Sequence, residues 1–168
     1  SIPAPVVSAR ADLYPDNVVI LSDPAIGVMP PVRLSGMLSV SIRANGFPPS
    51  TSHYDFYLIL TSPSTGKTYY ADFDIMKLLT GGFDLSGAIT LTETATPFIS
   101  DLPLSSDIDV MIPIRLQDPG FVKGDYHVVS AFTRNGTDTV VGNRAITKIK
   151  VYETVCCEPL PAKEGQTD

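Results

Sequence analysis

DIDVMIPIRLQ, residues 107–117, decides how this chain is read. Ile108, Val110, Ile112, Ile114 and Leu116 alternate with Asp109, Met111, Pro113 and Arg115. Successive side chains on extended backbone point to opposite faces, so five apolar residues at a period of two give a strand with one buried face. Pro113 cannot donate to a ladder, which predicts an edge strand or a bulge at that point.

The same rhythm continues outward from this stretch. QDPGF (117–121) carries Pro119 and Gly120 in the positions of a type II turn. GDYHVVSAFTR (124–134) puts Tyr126, Val128, Ser130 and Phe132 on one face. Asn135-Gly136 is a strong hairpin signal. AITKIKVYE (145–153) follows with Thr147, Ile149 and Val151 inward and Lys148, Lys150 and Tyr152 outward. The last third of the chain therefore reads as a meander of three or four antiparallel strands. Upstream, NVVIL (17–21), VRLSGMLSVSIRA (32–44), HYDFYLILT (53–61), TYYADFD (68–74) and GAITLTET (87–94) also read as strands, with a loop expected over 95–106. Leu38, Val40 and Ile42 share a face, as do Phe56, Leu58 and Leu60. One short helix is expected near 74–80, with Asp74 as N-cap, Ile75, Leu78 and Leu79 at helical spacing, and Gly81 as its end. The expectation is an all-β, antiparallel β-sandwich of seven to nine strands, Ig-like or jelly-roll-like.

The stretch 116–138, LQDPGFVKGDYHVVSAFTRNGTD, is similar to a hairpin common in immunoglobulin-like domains of prokaryotic secreted and surface proteins. There a Gly-x-Tyr opens a strand of alternating β-formers that ends in a glycine-containing turn. Gly124, Tyr126, Ala131, Phe132 and Gly136 carry the likeness. The resemblance implies an immunoglobulin-like sandwich and an extracellular or cell-surface setting. The Cys–Trp–Cys core of antibody-type domains has no counterpart, because the chain has no tryptophan and its two cysteines are adjacent.

Bulk properties set the bounds. The 168 residues suit a single domain, 1–168, with an extended N-terminal arm over 1–8 and a C-terminal tail over 154–168. Hydrophobic residues make up 43 % and charged residues 18 %, a balance that fits a packed core and argues against disorder. Fifteen prolines punctuate the chain with turns. A net charge of −6, with no basic run to offset it, repels phosphate backbones and excludes nucleic acid as a partner. The lack of a basic arm also weighs against a jelly-roll coat protein. No apolar run approaches the ~20 residues of a membrane-spanning helix. The opening SIPAPVVSAR has neither the charged nor the apolar region of a signal peptide, and Ser1 fits both a cleaved end and an arbitrary boundary.

Candidate chemistry is sparse. Cys156 and Cys157 are neighbours, with Cα atoms ~3.8 Å apart, short of the usual disulfide span of ~4.4–6.8 Å. Unpaired thiols, a bond to another subunit, a strained vicinal bridge and a metal site all remain open. In the arm, Ile2, Ala4 and Val6 alternate with Pro3, Pro5 and Val7, so it either lies along its own sandwich edge or crosses to a neighbouring subunit as an added strand. Asp72 and Asp74, and again Asp107 and Asp109, repeat a two-residue spacing that offers oxygens to calcium, or simply a solvated face. Tyr54, Tyr57, Tyr69 and Tyr70 sit on two strands joined by SPSTGK (62–67), and if Tyr54 and Tyr70 emerge together they form a platform for a sugar ring or peptide. Asn135-Gly-Thr matches the N-glycosylation pattern. His53 and His127 lie in no recognised catalytic motif, and no nucleophile elbow, P-loop or zinc-protease motif occurs. The expectation is a non-enzymatic, extracellular structural protein without a cofactor. It would be a filament, sheath or adhesive subunit that contacts itself or other surface proteins. The alternative is a ligand-binding module, for carbohydrate with or without calcium.

Overall fold

The computed structural model describes residues 6–13, 31–33, 37–116 and 122–152, with side chains described for 37–116 and 122–151. Alternation there becomes two sheets with their apolar faces turned toward each other. The first has the order β1 (Val6–Leu13), β3 (Met37–Asn45), β8 (Ile108–Arg115). The second runs β2 (Pro31–Arg33), β10 (Val140–Tyr152), β9 (Gly124–Arg134), β4 (Ser52–Thr61), β5 (Thr68–Phe73), β6 (Ile89–Thr92), with β7 (Ile99–Leu104) also paired to β4. All pairings are antiparallel except that of β2 with β10.

The predicted faces form the core. Leu38, Val40 and Ile42 of β3 and Ile112 and Ile114 of β8 come from one sheet. Phe56, Leu58 and Leu60 of β4, Tyr126, Val128 and Phe132 of β9, and Ile149 and Val151 of β10 come from the other. Each fully buried side chain of this size contributes about 1.5–3 kcal/mol of hydrophobic stabilisation. The Tyr126 hydroxyl, at the entry to β9, donates to the Val122 carbonyl at 2.6 Å and fixes that corner. Gly136 sits at φ 74° in the β9–β10 hairpin, a left-handed conformation glycine adopts without steric cost. In β10 the register shifts between Val141 and Ala145, where Gly142 has φ 78°.

Helix α1 (Ile75–Thr80) forms where the sequence places it. Asp74 caps it, its Oδ1 accepting from Met76 N at 3.0 Å and Lys77 N at 3.2 Å. A 3-10 turn (Ser86–Ala88) leads from it into β6.

Four local expectations change. The stretch 32–44 is not one strand, because β2 joins the second sheet and β3 the first. The last three strands are not a meander. β8 pairs with β3 as an edge of the first sheet, while β9 and β10 form a hairpin in the second. The loop expected over 95–106 contains β7, and with β1 and β2 it brings the described strands to ten. Lastly Val110, in step with the buried row of β8, is 44 % exposed, because the cover over that face runs out there. NVVIL (17–21) and most of the 117–121 turn lie outside the described residues.

Candidate binding surfaces

The four tyrosines separate by strand parity. Tyr54 and Tyr69 are 4 % and 1 % exposed and belong to the core, so the expected Tyr54–Tyr70 platform does not form. Tyr57 and Tyr70 point outward from adjacent strands. Tyr70 lies opposite Ile59, which lies opposite Val129, which lies opposite Ile146 of β10. A half-buried apolar ribbon thus crosses four strands of the outer face, with Tyr57 one step along β4. Burial first, then the charges of Asp55 and Asp138, push the Tyr57 phenol above its ordinary value, so it stays neutral.

Asp55 also leaves its strand on the outer side, yet it is buried. The chain folds over it from two directions. Its Oδ1 accepts from Asp101 N and from Asn135 Nδ2, both at 2.9 Å, and its Oδ2 from Gly136 N at 3.0 Å. Burial raises the carboxyl pKa, but the three hydrogen bonds outweigh it and hold the value below the ordinary one. Asp101 has φ 57°, uncommon outside glycine, and its carboxylate meets His53 Nδ1 at 2.8 Å. Asn135 N donates to the His53 carbonyl at 3.2 Å. Asp55 therefore pins β7 and the β9–β10 hairpin onto β4. Sequence reasoning missed it because an outward acid on a strand reads as solvated. The available signal was a lone carboxylate in an aromatic-rich strand, with an Asn-Gly turn elsewhere to receive it.

A third feature lies at the side of the sandwich where β8 and β6 face each other. A cleft of about 350 Å³ opens between the sheets there. Phe56, Phe98 and Phe132 line its depths, and the last two each lean on Phe56, with ring centroids 6.1 and 4.8 Å away. Leu85, Val110 and Met111 stand at its mouth. Beside it α1 buries none of its residues. Ile75, Met76, Leu79, Phe83 and Leu85, with Val110 and Met111 of β8, are 37–71 % exposed. They are seven of the nine most exposed large apolar side chains among the described residues. The segment after α1 is tied to the helix by backbone bonds and to β8 by a side-chain bond, and Leu85 lines the cleft together with Val110 and Met111. Asp74 N donates to the Ala88 carbonyl at 2.9 Å, Phe83 N to the Leu78 carbonyl at 3.0 Å, and Arg115 Nη2 of β8 reaches Ser86 Oγ at 3.1 Å. Phe83, the most exposed of the set, is held at φ 62°. The sequence places α1 correctly, and its helical spacing of apolar residues does not tell that they are left uncovered.

The four acids proposed for calcium are not brought together. Asp74 is spent on the helix cap, Asp109 Oδ2 pairs with Arg43 Nη2 at 3.2 Å, Asp107 Oδ1 accepts from Gly46 N at 3.3 Å, and Asp72 lies across from Thr90. Among the described residues no three His, Cys, Asp or Glu converge on a point that could hold a metal. His127 sits between Thr61 and Lys148 on the outer face. Cys156, Cys157, Ile2 and Ala4 lie outside the described residues, as does the tail over 154–168. Val6 opens β1, whose backbone runs antiparallel to β3 with Val6 opposite Asn45. No helix among the described residues is long and apolar enough to cross a membrane. Compared with known proteins, the chain matches no family model and no curated sequence.

Proposed function

We propose that this chain is a non-enzymatic, immunoglobulin-like module of a secreted or surface-displayed assembly, working through protein–protein contact. One observation carries the reading: the apolar surface built by α1, the segment after it and β8. Taking roughly 150–200 Å² for a fully exposed side chain of this size, its seven residues present on the order of 600 Å². That is at the top of the ~300–600 Å² typical of the largest patch on a monomer, a patch that is often functional. The strand order supports the immunoglobulin-like part. β1, β3 and β8 oppose β10, β9 and β4, and a tyrosine at the start of β9 bonds back to the backbone four residues upstream. The extracellular setting rests on the family resemblance in 116–138.

The test is sedimentation velocity of the full chain across a concentration series with reductant present, which removes any contribution from Cys156 and Cys157, alongside Met76→Lys and Val110→Lys. Concentration-dependent association that both variants weaken supports the reading. A chain that stays monomeric and captures no surface protein through this patch overturns it.

The second reading is a carbohydrate-binding module, and the outward pair Tyr57 and Tyr70 favours it. Saturable glycan binding lost in Tyr70→Ala, with α1 variants unaffected, would put function on the outer face instead.

A further inference from the structure

We infer that the occupant of the apolar surface is a second copy of this chain, and that Phe83 of each copy inserts into the cleft between the sheets of the other. This rests on the contact reading above and names its partner and geometry. Three observations lead to it. The first is area: on the order of 600 Å² per copy approaches the ~800 Å² per partner of a standard stable interface, without any other surface being recruited. The second is fit. The cleft holds about 350 Å³ and its lining is apolar throughout. A cavity of ~150 Å³ already accepts benzene, so one phenyl side chain enters with room for a neighbouring residue. The third is the knob. Phe83 is 71 % exposed and held at φ 62° directly after Gly82 at φ 72°, a backbone that presents the ring to solvent against its own steric preference. Aromatic anchors seated in apolar pockets are the usual centres of binding energy.

Leu85 at the cleft mouth is two residues from Phe83, which keeps knob and hole close to each other along the chain. Two copies related by a two-fold axis near Leu85 can therefore exchange knobs reciprocally, which closes a dimer rather than starting a fibre.

Phe83→Gly separates this from a merely structural role. It removes a solvent-exposed ring and relieves the left-handed strain, so the melting temperature of dilute protein is expected to rise while self-association weakens at least ten-fold. Phe83→Leu keeps an apolar knob and is expected to retain most of the association. Location is read by placing a photo-crosslinking phenylalanine analogue at 83 in ¹⁵N-labelled chain, mixing it with unlabelled chain under reductant, and mapping the products by mass spectrometry. Crosslinks from labelled to unlabelled chain within β8 or β7 support the proposal. Association that persists in Phe83→Gly, or crosslinks to residues 1–5 or 153–168 of the same copy, overturns it while leaving the contact reading intact. A chain monomeric at all concentrations overturns this proposal, and the contact reading falls with it only if the patch also captures no surface protein.

Discussion

Replacing Asp55 with alanine tests whether one carboxylate holds two separate segments to β4. The change strands Asp101 N, Gly136 N and Asn135 Nδ2, each now within 3.0 Å of a charged acceptor. Hydrogen bonds to charged groups contribute about 1.5–3 kcal/mol each, so three independent ones would sum to at least about 4.5 kcal/mol. They share one acceptor, and residues 101, 135 and 136 are exposed enough for water to replace part of the loss. The expected cost is therefore about 3 kcal/mol, or a fall in melting temperature of about 6–12 °C for a chain of this length. Asp55→Asn is expected to cost nearly as much, because its amide turns a donor toward donors. The pH dependence adds a second check. The folded carboxyl titrates below the ordinary value of 3.8, so its stabilisation is complete above 3.8 and is lost as pH falls through the folded value. Urea denaturation of wild type and Asp55→Asn should show a wide gap at pH 7 that narrows steadily below 3.8. Equal midpoints at pH 7, or a gap that stays constant into acid, would refute the reasoning.

Three further outcomes are expected. Ser130 is fully buried and its hydroxyl has no hydrogen-bond partner among the described residues, so Ser130→Ala should raise stability by about 1 kcal/mol in chemical denaturation. Tyr126→Phe deletes the 2.6 Å bond to the Val122 carbonyl and should cost about 1 kcal/mol in the same assay with the fold retained by circular dichroism. Within β8, Ile112→Ala should cost about 3 kcal/mol while Val110→Thr stays within about 0.5 kcal/mol, although both belong to the same alternating row.

That last contrast shows where the sequence was legible. Period-two alternation identifies strands and their inward faces, and Leu38, Phe56, Val128 and Ile149 all lie where it puts them. It carries no information about which sheet a strand joins. An inward face looks the same in either layer, so alternation alone groups β8 with β9 and β10 and fuses β2 to β3. Nor does it report how far the opposing layer extends. Val110 keeps the rhythm and still meets solvent at the cleft mouth. β7 stays hidden because Pro103 and the left-handed Asp101 interrupt its alternation, and pairing with β4 and the Asp55 clamp hold it instead. The candidate site was the least legible part. Apolar residues at helical spacing ordinarily signal a buried helix face, and nothing local in IMKLLTGGF (75–83) reveals that this one is left uncovered.

β2 and β10 run in the same direction, Pro31 to Arg33 beside Lys150 to Tyr152. They are the described strands nearest to the start of the second sheet's chain path and to its finish. Tension applied between residues 31 and 152 would draw these strands past one another lengthwise, loading their bonds together rather than peeling them singly. Rupture of that pair under such a pull must be simultaneous instead of sequential.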